Sequence, residues 1–210
     1  RLGDDCPNLG GGRLENFLSW ILKADFSQPL SLSIGSYSEL INSASQQLVN
    51  YFNEGGDFDN LIDTAATIRK VAYESGTPRE LLLADISSAI ILKRINNSTR
   101  YSLPVYSGLT EDQWEETFQK STFVRELWPA QHLLGNNGVF EGSSAVIQMP
   151  TSAGKTKATE IIIRSAFLSR RASVSVVVAP FRALCQEIKN SLIAAFADES
   201  VHIDDPSDVL

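Results

Sequence analysis

Eight consecutive residues, Met149-Pro150-Thr151-Ser152-Ala153-Gly154-Lys155-Thr156, bring a turn of small residues, a lysine and hydroxyls to the start of a long apolar segment. A bound triphosphate needs converging backbone N–H groups, a mobile cation and a hydroxyl for magnesium, and this run offers all three. Gly154 allows the backbone to approach an anion closely, and Lys155 can reach the β and γ phosphates. The Thr156 hydroxyl is the candidate ligand of Mg2+. Thr151, Ser152 and Ala153 complete the candidate nucleotide-binding loop, and Lys155 and Thr156 are its catalytic candidates. Met149 departs from the glycine that opens the general phosphate-loop pattern.

Such a loop works only if a strand delivers it and a helix receives it. Ser144 to Gln148 is a short apolar run suited to a buried strand, and Lys157 to Phe167, centred on Ile161, Ile162 and Ile163, suits a helix. A second β-branched run, Val174 to Ala179, ends at Pro180, and Phe181 to Ala195 returns to helical spacing. Strand, loop, helix, strand, helix is the order of a parallel α/β sheet. Residues 13–121 instead read as helix after helix behind a loose leader at Gly10-Gly11-Gly12. Ser36-x-x-Glu39, Thr77-Pro78-x-Glu80 and Thr110-x-x-Gln113 each fit a capping box. Leu61, Ala65, Ile68 and Ala72 form one helical stripe; Leu82, Ile86 and Ala89, with Leu83 and Ile90, form another, and both are expected to face a core. Ser102 to Gly108, with Pro104, reads as a connection. The expected fold class is therefore α/β: an all-α N-terminal domain over 1–121, then an ATP-binding domain begun at 122–210.

Pro150 to Thr156 resembles motif I of superfamily 2 helicases of the DEAD/DEAH (DExH) type, most like the branch with superkiller-type RNA helicases and the helicase part of theta-type DNA polymerases. In that family a small residue commonly stands at the place of Met149. Pro180-Phe181-Arg182-Ala183-Leu184 is similar to motif Ia, which implies that Pro180 and Arg182 contact the backbone of a nucleic-acid strand; Gln186 or Glu187 would fill its terminal polar position. Leu127-Trp128-Pro129-Ala130-Gln131 resembles the element whose glutamine reads the adenine edge, and an amide suits that task because it offers both a donor and an acceptor. Trp128 itself is expected to be buried as an anchor of its helix, with a flat surface near the base as the alternative. The resemblance covers about residues 125–210 and implies a truncated RecA-like parallel sheet of the P-loop NTPase kind, ATP and Mg2+ as cofactors, and DNA or RNA as partner.

Composition sets the outer limits. With 43% hydrophobic and 20% charged residues the 210-residue chain should fold, into one or two domains. A net charge of -7 argues against attachment to nucleic acid by bulk positive charge, though a local groove is compatible with it. Cys6 and Cys185 have no metal-ligand spacing and are expected to be unpaired thiols in a reducing cytoplasm. The sequons at Asn96 to Thr99 carry little weight without other signs of secretion. No apolar run reaches membrane-spanning length and the start lacks a signal-peptide pattern, so a cytoplasmic protein without membrane contact is expected. The acidic pair that activates water in the family is not recognisable: Asp204-Asp205 follows no long apolar strand and precedes Pro206. The chain thus reads as a piece of a helicase or translocase, able to hold ATP but not to hydrolyse it efficiently. Two alternatives remain open: a P-loop ATPase that remodels protein, or a helical leader that docks a protein partner. A leader of that size suits a multi-component system, with bacterial antiviral defence as one setting.

Overall fold

The computed structural model describes residues 12–150, 153–197 and 199–204. They fall into two compact units, divided between Ser98 and Thr99.

The first unit is built from α1 (Arg13–Lys23), α2 (Ser38–Glu54), α3 (Asp59–Ser75) and α4 (Pro78–Asn97). In α1, Leu14, Phe17, Leu18 and Ile21 recur at helical spacing and are all buried. They meet Ile41, Leu48 and Phe52 of α2 and Leu61, Ala65, Ile68 and Ala72 of α3, the stripe expected from sequence. Phe26, in the turn after α1, stacks on Phe52 with ring centroids 4.7 Å apart. Arg94 reaches from α4 to donate to the carbonyls of Ile21 (2.8 Å) and Leu22 (3.1 Å), two acceptors that the end of α1 leaves without helical partners.

Two details of this unit differ from the sequence reading. The core face of α4 is Ala84, Ser87, Ser88, Ile91 and Ile95, whereas Leu82 (59% exposed), Ile86 (38%) and Ala89 lie outside. Leu83 and Ile90 pack partly against the core. The Ser36 box does not form: Tyr37 adopts a left-handed conformation (φ 65°) before α2, and the Ser38 hydroxyl donates back to the Ser33 carbonyl at 2.6 Å. The Thr77 box does form. The Thr77 N–H donates to the Glu80 carboxylate at 2.7 Å, and the Glu80 N–H to the Thr77 hydroxyl at 3.3 Å.

The second unit contains α5 (Thr99–Ser107), α6 (Glu111–Phe118), α7 (Pro129–Asn136), α8 (Lys155–Leu168) and α9 (Arg182–Ala195). Its larger cluster gathers Leu103, Trp114, Phe123, Leu127, Leu134, Phe140 and Ile161. Residues 102–107, expected as a connection, belong to α5 despite Pro104. The proline removes one donor near the end of a short helix, and the Gly108 N–H closes it on the Pro104 carbonyl at 3.1 Å. At α6 the Gln113 amide oxygen accepts from the Thr110 N–H at 3.0 Å, one arm of the expected box.

The expected parallel sheet is absent. Among the described residues the fold is helical throughout, and neither 144–148 nor 174–179 forms a strand. A buried strand must pair along its edges and be covered on its faces. Val146 is fully exposed, and Val174, Val176 and Val178 are 73%, 80% and 88% exposed. The β-branched composition of these runs is real, but among the described residues they have no strand pairing and only partial cover, so a partial RecA-like sheet is not what this chain builds.

Candidate phosphate-binding site

The site starts one helix before the loop. Pro129 occupies the first position of α7, where its missing N–H is no loss. Trp128 precedes it in an extended conformation, and the Trp128 N–H donates to Gln131 Oε1 at 2.8 Å. Gln131 is 2% exposed, and its Nε2 donates to the Gly154 carbonyl at 3.3 Å. One buried amide therefore ties the start of α7 to the loop. Each end of that amide keeps one further bonding position.

Gly154 stands immediately before α8 with φ 78°, a conformation that side chains rarely adopt. A Cβ there would come within 2.9 Å of Gln131 Nε2. Glycine is thus required twice, by the backbone angle and by the approach of Gln131. The preceding turn closes through Ala153 N–H to the Pro150 carbonyl at 3.1 Å, and the helix opens with Ala158 N–H on the Gly154 carbonyl at 2.9 Å.

No side chain caps α8, so the N–H groups of its first turn have no acceptor within the helix. No acidic residue stands in that turn to complement the dipole. Lys155 and Thr156 are both exposed there. Lys157 is engaged elsewhere, donating to the Thr122 carbonyl at 3.0 Å and to Glu160 at 2.9 Å. Among the described residues Lys155 has no ion pair. Unsatisfied donors, a helix dipole and an exposed ammonium favour an anion, and the fit to a phosphate chain is good. Thr151 and Ser152 lie outside the described residues.

Pro180 and Arg182 sit at the start of α9, both exposed, behind Phe181, which is 71% exposed. A cation at the first position of a helix gains nothing from the dipole, and Arg182 has no ion pair among the described residues. No hydrogen bond or ion pair among them joins Pro180 or Arg182 to the loop. The structure therefore brings Gln131 together with Gly154 to Thr156, and keeps the pair on α9 as a separate feature.

Trp128 corrects its sequence reading, because it is 56% exposed instead of buried. A charge network was missed altogether. Glu160 and Arg164, each 2% exposed, pair at 3.0 Å in the middle of apolar α8. Arg164 also donates to Glu199 (2.7 Å) and to the Ala195 carbonyl (2.5 Å), and its guanidinium lies over the Phe196 ring, 4.3 Å from the centroid. The Glu-x-x-x-Arg spacing around the isoleucines was the available signal. This network anchors α8 behind its N-terminal end.

Residues 128–206 match the family model of the DEAD/DEAH box helicase, a span that takes in Gln131, the loop, Pro180 and Arg182. Over 73 residues the chain is 30% identical to Hachiman protein HamB of Bacillus cereus, covering 35% of this chain and 6% of that protein. Over 68 residues it is 35% identical to the ATP-dependent DNA helicase Hel308 of Thermococcus kodakarensis, covering 32% of this chain and 6% of that one. The matches thus span about 6% of the length of each of these curated relatives. No solved structure matches.

Proposed function

We propose that this chain, whose residues 128–206 match the DEAD/DEAH box helicase family model, binds ATP at the start of α8 as the N-terminal portion of a superfamily 2 nucleic-acid helicase or translocase. One observation carries the reading: an uncapped helix N-terminus presents Lys155 and Thr156 behind a left-handed Gly154 that a buried glutamine holds. The first-turn N–H groups of α8 bind the phosphate oxygens, Lys155 neutralises the outer phosphates, and the Thr156 hydroxyl faces the metal. Gln131 fixes the loop through Gly154 and retains one donor and one lone pair with which to meet a base. When bound, ATP and Mg2+ supply the phosphoanhydride whose cleavage drives movement. Exposed Arg182 and Pro180 contact the strand backbone, which requires no excess of positive charge over the whole chain.

Two measurements test this. A fluorescent ATP analogue titrated into the chain should bind, and Lys155→Ala should weaken binding at least tenfold, on the order expected for losing a charge-assisted contact. Unaltered binding by that variant would remove the ATP site from α8. In the full-length protein, ATP turnover should rise on addition of DNA or RNA and fall back in Arg182→Ala. Turnover indifferent to any nucleic acid would overturn the helicase reading.

A further inference from the structure

Every residue from 141 to 150 is exposed except Met149, which is half-buried. Its side chain packs against the larger cluster of the second unit, to which α7 contributes Leu134 and α8 contributes Ala158 and Ile161. Among the described residues no backbone hydrogen bond holds residues 144–149. The side chain of Met149 is therefore what attaches this segment to the body of its unit.

That attachment lies at the entry of the phosphate loop. Directly after Met149, the Pro150 carbonyl accepts from the Ala153 N–H at 3.1 Å, and at the exit Gln131 Nε2 donates to the Gly154 carbonyl at 3.3 Å. The loop is thus pinned on one side by an apolar side chain and on the other by a buried amide. A shift of Met149 reaches Gly154 and the start of α8 through a single turn. An unbranched thioether fills an irregular gap well, and here it stands where the general phosphate-loop pattern has a glycine that could not anchor anything.

The anchor is also chemically labile. Met149 is the only methionine of the chain, and its partial exposure opens it to small oxidants. A peroxide transfers one oxygen to the sulfur: an S–O bond forms from a sulfur lone pair, and the O–O bond breaks. The proton of the transferred oxygen passes to the departing hydroxide, which leaves as water, so the thioether is oxidised and the peroxide reduced. The resulting sulfoxide needs a hydrogen-bond donor, which the aliphatic and phenyl side chains of the cluster, such as Leu103, Leu127, Leu134 and Phe140, do not offer.

We propose that Met149 positions the phosphate loop by anchoring it in the apolar cluster, and that reversible oxidation of its sulfur by a peroxide releases the anchor and lowers nucleotide affinity. The inference rests on the ATP-binding reading above.

The test follows ATP binding by the 210-residue chain before and after hydrogen peroxide, with dithiothreitol added afterwards to restore the cysteines. Oxidised wild type, confirmed by mass to carry one added oxygen, should bind ATP about tenfold more weakly, the scale of burying an unpaired polar group. Methionine sulfoxide reductase should restore the affinity. Met149→Leu should bind ATP as the untreated wild type does and be indifferent to peroxide. Met149→Gly, which restores the general pattern, should bind about fivefold more weakly for want of the packed side chain. Full affinity in the oxidised wild type, or in Met149→Gly, would overturn the proposal. So would equal peroxide sensitivity in Met149→Leu, which would place the effect on another residue. Thermal melts accompany each titration: a loss of affinity matched by a collapse of the unfolding midpoint would mean that the sulfoxide unfolds the unit, and the positioning role falls. If the untreated wild type binds no ATP, the ATP reading fails and takes this inference with it.

Discussion

Gln131 and Gly154 form one device, and each sets a constraint on the other. A left-handed residue before α8 must be glycine or carry strain, and Gln131 Nε2 occupies the space that a Cβ would need. Gly154→Ala should therefore shift the loop, costing about 1–3 kcal/mol of local strain. ATP binding is expected to fall more than tenfold while most of the unfolding midpoint is retained, because both cores lie outside this turn. A titration alongside a thermal melt checks both, and full ATP affinity in Gly154→Ala would show that the conformation is dispensable. The loop and Gln131 were legible in the sequence because their chemistry is local: residue types at fixed spacing decide what a phosphate cradle can hold. The exposure of Trp128 was not. An indole beside a helix start is buried only if another element covers it, and here the described residues leave it 56% exposed. Glu160 and Arg164 were also hidden, because their burial depends on Phe123, Phe196 and Glu199, distant in sequence.

Among the helices, α4 shows how far pattern reading extends. Its existence, start and length follow from Thr77, Pro78 and the apolar spacing. The phase of its buried face does not, because side-chain size misleads: Leu82 and Ile86 are larger, yet Ala84 and Ser87 face inward. Ala84 shares its core cluster with Ala65 and Ala72 of α3, and α3 and α4 are in contact; small residues allow neighbouring helices to approach, a gain no single-helix pattern reveals. The start of α4 also carries a pH dependence. Hydrogen bonds from the Thr77 N–H and hydroxyl hold the Glu80 carboxyl below the ordinary glutamate value of 4.5. A carboxylate whose folded pKa is depressed stabilises fully above its unfolded pKa, and loses that contribution as pH falls through the folded value. Thr77→Ala should cost about 1 kcal/mol at neutral pH. The difference between wild type and Glu80→Gln should be greatest at neutral pH and should shrink as the pH drops below 4.5. Urea melts across that range decide the matter; a constant difference would mean that Glu80 does not act through its charge.

For the molecule as a whole, the departure from α/β expectation is a matter of long-range partners. The runs at 144–148 and 174–178 have strand composition, but a ladder exists only where another strand lies alongside, and nothing in a local window specifies that strand. What remains is an unusual surface: Val174-Ser175-Val176-Val177-Val178 is β-branched, uncharged and free of proline, and three of its valines are more than 70% exposed. Such a window is a template for pairing between molecules, because among the described residues its backbone forms no strand ladder and three of its valines are exposed. The 210-residue chain should therefore self-associate with concentration, through this segment and not through its cores. Val176 is the position to change, being 80% exposed and in none of the three core clusters. Val176→Glu adds a charge to the centre of the window and should delay aggregation severalfold while changing the unfolding free energy by less than about 0.5 kcal/mol, as for other surface substitutions. Light scattering at fixed concentration, read beside a urea melt, measures the two effects separately. Unchanged aggregation with unchanged stability would place the sticky surface elsewhere, and Leu82 and Ile86 of α4 would become the next residues to replace.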